Sequence, residues 1–125
     1  MPVRAEVRER VRALLPGQEP RYVLEGSVVM AGGVPVVGTA SVLVVVTAEQ
    51  VVLLSCSRWR RGRPTGVLQR LPRATRLGPV EVQTGCWIRV GDWQLEVDDL
   101  DVPVVAAADA ELDGLQPDDP GPAGA

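Results

Sequence analysis

The sequence predicts a mainly β protein: a bent antiparallel sheet or small barrel of seven short strands, with a short N-terminal helix before it and a capping C-terminal helix after it. Three observations carry this prediction. Runs such as Val42 to Val46 and Val51 to Leu54 are bounded by short polar breaks, and branched side chains suit a pleated surface but cost entropy in a helix. The hydrophobic share, 46%, is mostly Val, Leu and Ala, with no Phe and only Tyr22, Trp59, Trp87 and Trp93 as aromatics, which is the composition of a sheet core rather than a ring-filled one. The chain has 125 residues, room for a single core, and its strand-like segments follow one another within about 75 residues, as in small sandwiches and barrels.

The elements follow in order. Val3, Val7, Val11 and Leu14 recur at helical spacing among Arg4, Glu6, Arg8, Glu9, Arg10 and Arg12, so residues 1–15 read as an amphipathic helix laid on the side of the sheet. Leu15-Pro16-Gly17 stops it, because Pro cannot continue the hydrogen-bond ladder and Gly accepts the reversed dihedral of a helix exit. Arg21 to Met30 reads as a strand, Ala31-Gly32-Gly33 as a turn, and Val34 to Thr47 as a long strand in which Gly38 marks a bend. Ser41 to Ser57 forms the next hairpin around Thr47-Ala48-Glu49-Gln50. Gly66 to Leu71 is a short strand ended by Pro72, and Thr75 to Thr84 an extended segment interrupted by Gly78-Pro79. Cys86 to Val90 and Trp93 to Val97 pair around Gly91-Asp92, a strong hairpin signal.

Beyond this hairpin the chain turns acidic. Asp98, Asp99 and Asp101 precede a helix over Val102 to Leu115 with Val104, Val105, Ala108 and Leu112 on one face, and carboxylates at a helix start satisfy free N–H groups and the macrodipole. That structural task accounts for the aspartates without a metal. The tail Gln116 to Ala125, QPDDPGPAGA, has the composition of a disordered segment.

Missing residues exclude several chemistries. There is no His, and Lys is absent, so all thirteen basic residues are Arg; this removes the usual general base, the commonest nitrogen metal ligand and the amine nucleophile. Asn and Phe are missing as well; the gaps fall on A/T-rich codons, which suggests a high-GC genome. Ser41, Ser55 or Cys56 as a nucleophile has nothing to activate it, so no enzyme, catalytic residue or cofactor is expected. Cys56 and Cys86 are too few for a zinc site and read as reduced thiols packed within strands. No signal peptide and no run long enough to span a membrane is visible, which points to a cytoplasmic protein, peripheral to the membrane at most.

Taken together, the LPGQE segment at Leu15, VLVVVTAEQVVLL at Val42, RLPRATRLGPVEV at Arg70, a Gly-Asp hairpin with a tryptophan on each side and a closing helix from Val102 resemble the bacterial pleckstrin-homology-like domains, close in pattern to GRAM-type modules. The resemblance spans Leu14 to Leu115, and the corresponding domain is residues 16–115. It implies seven strands bent into a nearly closed barrel plugged at one end by the C-terminal helix. It also implies that the loops after strands one, three and six, here Ala31 to Val34, Arg58 to Gly66 and Gly91 to Asp92, share one open end. The lipid-binding members draw their headgroup site from the first of these loops, which here is uncharged, whereas the middle one is basic.

Charge is the remaining functional signal. Arg58, Arg60, Arg61, Arg63, Arg70, Arg73 and Arg76 fall within a stretch that contains no acid, whereas residues 98–125 contain eight acids and no base. A formal net charge of −3 therefore hides a strongly polarised molecule. Such a patch attracts phosphates, anionic headgroups or an acidic protein, or else meets the chain's own acidic C-terminal region. Trp59, inside the patch, either inserts at an interface or stacks on a base, or closes the end of the sheet. The expected function is a non-enzymatic binding or scaffold module docking a protein, or an anionic membrane surface, through these eight residues. Nucleic-acid binding through the same arginines and Trp59 is the alternative, less favoured because one aromatic is a short stacking track.

Overall fold

The computed structural model describes residues 5–35, 40–57, 63–82 and 85–114. It is mainly β: α1 (Ala5–Leu14), β1 (Tyr22–Ala31), β2 (Val34–Pro35), β3 (Ser41–Val46), β4 (Gln50–Cys56), β5 (Pro64–Pro72), β6 (Glu81–Val82), β7 (Cys86–Val90), β8 (Trp93–Val97) and α2 (Val102–Gly114). All the strands join one antiparallel sheet in the order β5-β4-β3-β1-β8-β7-β6, with the two-residue β2 paired to β1. The long strand β1 is the hinge of this arrangement. Its first half pairs β3 and its second half pairs β8, with a register shift between Val28 and Met30, and such a bulge adds twist and lets a sheet turn.

The period-two alternation sorts the strands into two apolar faces. Leu24, Val28, Val42, Val44, Val46, Val51, Leu53, Ile88, Val90, Leu95 and Val97 share one core with Leu77, Val105 and Ala108. Residues from five strands meet there, so the sheet curls around this face and α2 lies inside the curl. The alternate positions Val23, Leu43, Val45, Val52 and Leu54 form a second cluster beneath Val7, Val11 and Leu15. The N-terminal helix thus covers the back of β1, β3 and β4, as its apolar stripe predicts. On α2 the buried residues are Val105, Ala108 and Leu112, three of the four expected, and Val104 packs at the margin of the core.

Both predicted hairpins form. In the first, Thr47 is buried and its hydroxyl accepts from the Glu49 and Gln50 N–H groups at 3.2 and 3.1 Å. Gln18, from the LPGQE segment, takes up that turn: its Oε1 lies 3.0 Å from Thr47 Oγ1 and 2.8 Å from Gln50 Nε2. In the second, Gly91 has φ of +59°, and a Cβ there would stand 3.3 Å from Leu71 Cδ1. The β7–β8 turn is therefore pressed close to β5, and the Trp93 indole N–H reaches across to donate to Gln69 Oε1 at 2.6 Å.

The structure corrects two expectations. The sheet does not close: β5 and β6 are its two ends and do not pair, so the bent open sheet replaces the barrel. The physical reason lies in residues 73–80, whose N–H groups at Leu77 and Gly78 are taken by Asp109 of α2 rather than by a strand. For the same reason the extended segment from Thr75 shrinks to Glu81–Val82. Of the long strand expected from Val34, Val34–Pro35 (β2) and Ser41–Val46 (β3) are strand, while 36–39, and so the Gly38 bend, lie outside the described residues. Asp98 caps a short 3-10 turn, Asp99–Asp101, by accepting from the Leu100 N–H at 2.9 Å; that bond holds its carboxyl below the usual range. Asp101 is buried at the start of α2, and burial raises its pKa. Neither Cys56 nor Cys86 is in a disulfide, and both are half-buried at the margins of the two clusters. The tail 116–125 lies outside the described residues.

Candidate docking surface

The arginine run divides at Pro72. On its near side, the Ser57 N–H donates to the Arg63 carbonyl at 2.8 Å, closing the base of the connection from β4 to β5. Arg58, Trp59, Arg60 and Arg61 lie within that connection, outside the described residues. Arg63 is exposed at the entrance to β5, and Arg70 is exposed near its far end. Arg70 stands opposite Val52 in the register, which puts it on the face of the sheet that carries α1. Neither guanidinium makes a hydrogen bond or ion pair among the described residues.

The far side of Pro72 is different in kind. Arg73 is 9% exposed, donates to the Ala108 carbonyl at 2.9 Å and has a guanidinium nitrogen 3.8 Å from Glu111 Oε1. Glu111 also receives the Arg21 guanidinium at 3.0 Å and the Tyr22 hydroxyl at 2.7 Å, both on Oε2. The bond to Glu111, helped by burial, raises the Tyr22 pKa above its ordinary value. Arg76 pairs with Asp113. Between them, Asp109 accepts from the Leu77 and Gly78 N–H groups, each at 2.9 Å. A side chain at Gly78 would place its Cβ 3.0 Å from Asp109 Oδ2, so the close approach depends on glycine. Asp109, Glu111 and Asp113 thus form a clasp that fastens residues 73–78 and the start of β1 to α2.

The structure therefore brings Arg63 and Arg70 to one exposed strand and draws Arg73 and Arg76 away to the helix. Composition did not point to Arg21, Asp109 or Glu111; the only signal was the alternative in which the arginines meet the chain's own acids. Arg89 is a further exposed cation, lining a shallow cleft of about 150 Å³ with Met30, Gly33, Gly91, Asp92 and Gln94. The cleft sits where the Gly32 N–H donates to the Asp92 carbonyl at 2.9 Å, tying the β1–β2 turn to the β7–β8 turn.

Among the described residues no group of three or more Cys, Asp or Glu is arranged to hold a metal, and no helix is long and apolar enough to cross a membrane. Compared with protein-family models, with curated proteins and with solved structures, the chain finds no match.

Proposed function

We propose that this protein is a non-enzymatic binding module that docks an acidic protein surface through the basic connection from β4 to β5 and the exposed arginines of β5. The observation that carries this reading is the contrast within one acid-free stretch: Arg73 and Arg76 have internal carboxylate partners, whereas Arg63 and Arg70 are exposed and, among the described residues, unengaged. Unpaired cations clustered on one strand make a local field that an acidic partner completes. A pleckstrin-homology-like ancestry is part of the proposal. What supports it is coarse: a bent antiparallel sheet followed by one helix, α2, whose Val105 and Ala108 pack into the sheet's core, as the resemblance implies, although the sheet stays open.

The test is binding of polyglutamate, of vesicles rich in phosphatidylserine and of a single-stranded oligonucleotide, each against rising salt, by the intact chain and by a variant with Arg58, Arg60, Arg61 and Arg63 changed to Ala. Binding of polyglutamate that falls steeply with salt and is lost in the variant supports protein docking. Preferential vesicle binding moves the partner to a membrane surface. Tighter oligonucleotide binding that Trp59→Ala weakens makes this a nucleic-acid module. If the intact chain binds none of the three at low salt, the docking reading fails.

A further inference from the structure

We infer that the free edge of β5 accepts an acidic, extended segment of a partner protein as an added strand; this rests on the docking function proposed above and specifies its geometry. β5 is one of the longest strands and stands at the end of the sheet. From Thr65 to Leu71 its backbone makes, among the described residues, no backbone hydrogen bond outside the ladder to β4. A row of unpaired N–H and C=O groups is a template for another strand, and native proteins blunt such edges or use them.

β5 is blunted only in part. Pro64 and Pro72 bound it, α1 lies against it and two register shifts interrupt its pairing with β4, but between the prolines Val67 and Leu68 are still 40% and 44% exposed. An exposed apolar pair at mid-strand, flanked by Arg63 and Arg70, is an apolar centre with a cationic rim. An incoming strand with apolar residues at its middle and carboxylates toward its ends matches both.

The charge identifies the occupant by excluding two others. A second copy added to this edge would bring four arginines, Arg63 and Arg70 from each strand, to one seam that β5 supplies with no carboxylate, and like charges across a pair of strands are destabilising. The chain's own tail contains Asp118 and Asp119 but also Pro117, Pro120 and Pro122, and proline cannot donate to a ladder. The carboxylates Asp109, Glu111 and Asp113 of α2 are already engaged with residues 21–22 and 73–78. An acidic segment free of proline must therefore come from another protein.

The experiment uses the full chain and a capped eight-residue peptide with two Glu at each end and Val-Thr-Val-Thr between them, with two twins N-methylated at every second backbone nitrogen, one in each phase. The unmodified peptide is expected to bind, to weaken with salt, and to slow amide exchange across Thr65–Leu71 by about tenfold or more. One twin, whose methyl groups face β5, should lose at least about tenfold in affinity, since its donors to the ladder are gone; the other should bind as the parent does. Charge reversal at Arg63→Glu and Arg70→Glu, checked for folding by circular dichroism, should abolish binding of all three. If both twins bind as tightly as the parent and exchange at residues 65–71 is unchanged, strand addition is overturned while polyglutamate binding leaves the docking reading standing. Failure of the parent peptide to bind at low salt, with polyglutamate still bound, overturns strand addition alone; failure of both overturns the two together.

Discussion

Two arginines three residues apart, Arg70 and Arg73, belong to the same acid-free run and end in opposite environments. Arg70 projects from an edge strand into solvent, whereas Arg73 is buried against α2 between the Ala108 carbonyl and Glu111. The difference is made by Pro72, where the strand ends, and by α2, whose carboxylates reach the segment that follows. It teaches that a charge run need not be a surface feature along its whole length. The half that has partners holds the fold together, and the half without them is left for an outside ligand.

The largest effect should come from breaking the buried half. Arg73→Ala leaves the half-buried Glu111 facing only Arg21 and Tyr22, and removes the side-chain bond to the Ala108 carbonyl. Removing one partner of a buried ion pair costs on the order of 3 kcal/mol, to be read as a lower denaturant midpoint at unchanged slope. A midpoint shift no larger than that of Arg70→Ala would erase the distinction between the two halves. Next in size is Asp109→Ala. It takes the acceptor from two backbone N–H groups at once, at a cost of about 2 kcal/mol, and amide exchange at Leu77 and Gly78 should speed up more than elsewhere. Arg76→Ala belongs to the same clasp but to an exposed pair, so its effect should stay below about 1 kcal/mol.

Tyr22 reports on the clasp without a loss of fold. It is the chain's single tyrosine, so phenolate absorbance follows this one group. Its hydrogen bond to Glu111, then burial, raise its pKa above 10.0 in the folded state. A raised pKa means that the folded state holds the proton longer. The stabilisation is fully present below the unfolded value and is lost as pH rises through the folded one. Glu111→Gln should bring the titration down toward 10.0 and flatten the fall in stability at alkaline pH; an unchanged titration would show that Glu111 does not hold the hydroxyl.

Much of the fold was legible because local pattern and tertiary role agree. The hairpins around residues 47–50 and 91–92 follow from branched runs broken by turn residues. The apolar stripes of α1 and α2 follow from helical spacing, and each stripe meets a face of the sheet that the strand alternation had already made apolar. Closure was not legible, because it turns on whether the N–H groups of residues 77 and 78 pair with a strand or a carboxylate, and Asp109 lies far along the chain. The arginines were legible as a charge run but not as two halves. Sequence shows that Arg70 and Arg73 are near each other; only the register of β5 and the position of α2 show that they point to different neighbours.

The smallest effect on stability, and the sharpest test of the comparison, belongs to the free half. Arg63 and Arg70 are exposed and unengaged among the described residues, so replacing both with Ala should shift the denaturant midpoint by no more than about 0.5 kcal/mol per site. Each contact they make with a carboxylate on a ligand is screened over a Debye length of about 8 to 10 Å. The double variant should therefore lose polyglutamate binding at low salt and show a shallower salt dependence for whatever binding remains. Arg76→Ala combined with Arg89→Ala, which removes as many charges from elsewhere on the chain, supplies the control. If it weakens binding as much as the double variant does, net charge alone governs the interaction and β5 has no special part in it. If binding falls only when Arg63 and Arg70 are changed, the ligand reads the position of the charges, and the unpartnered edge strand is where it lies.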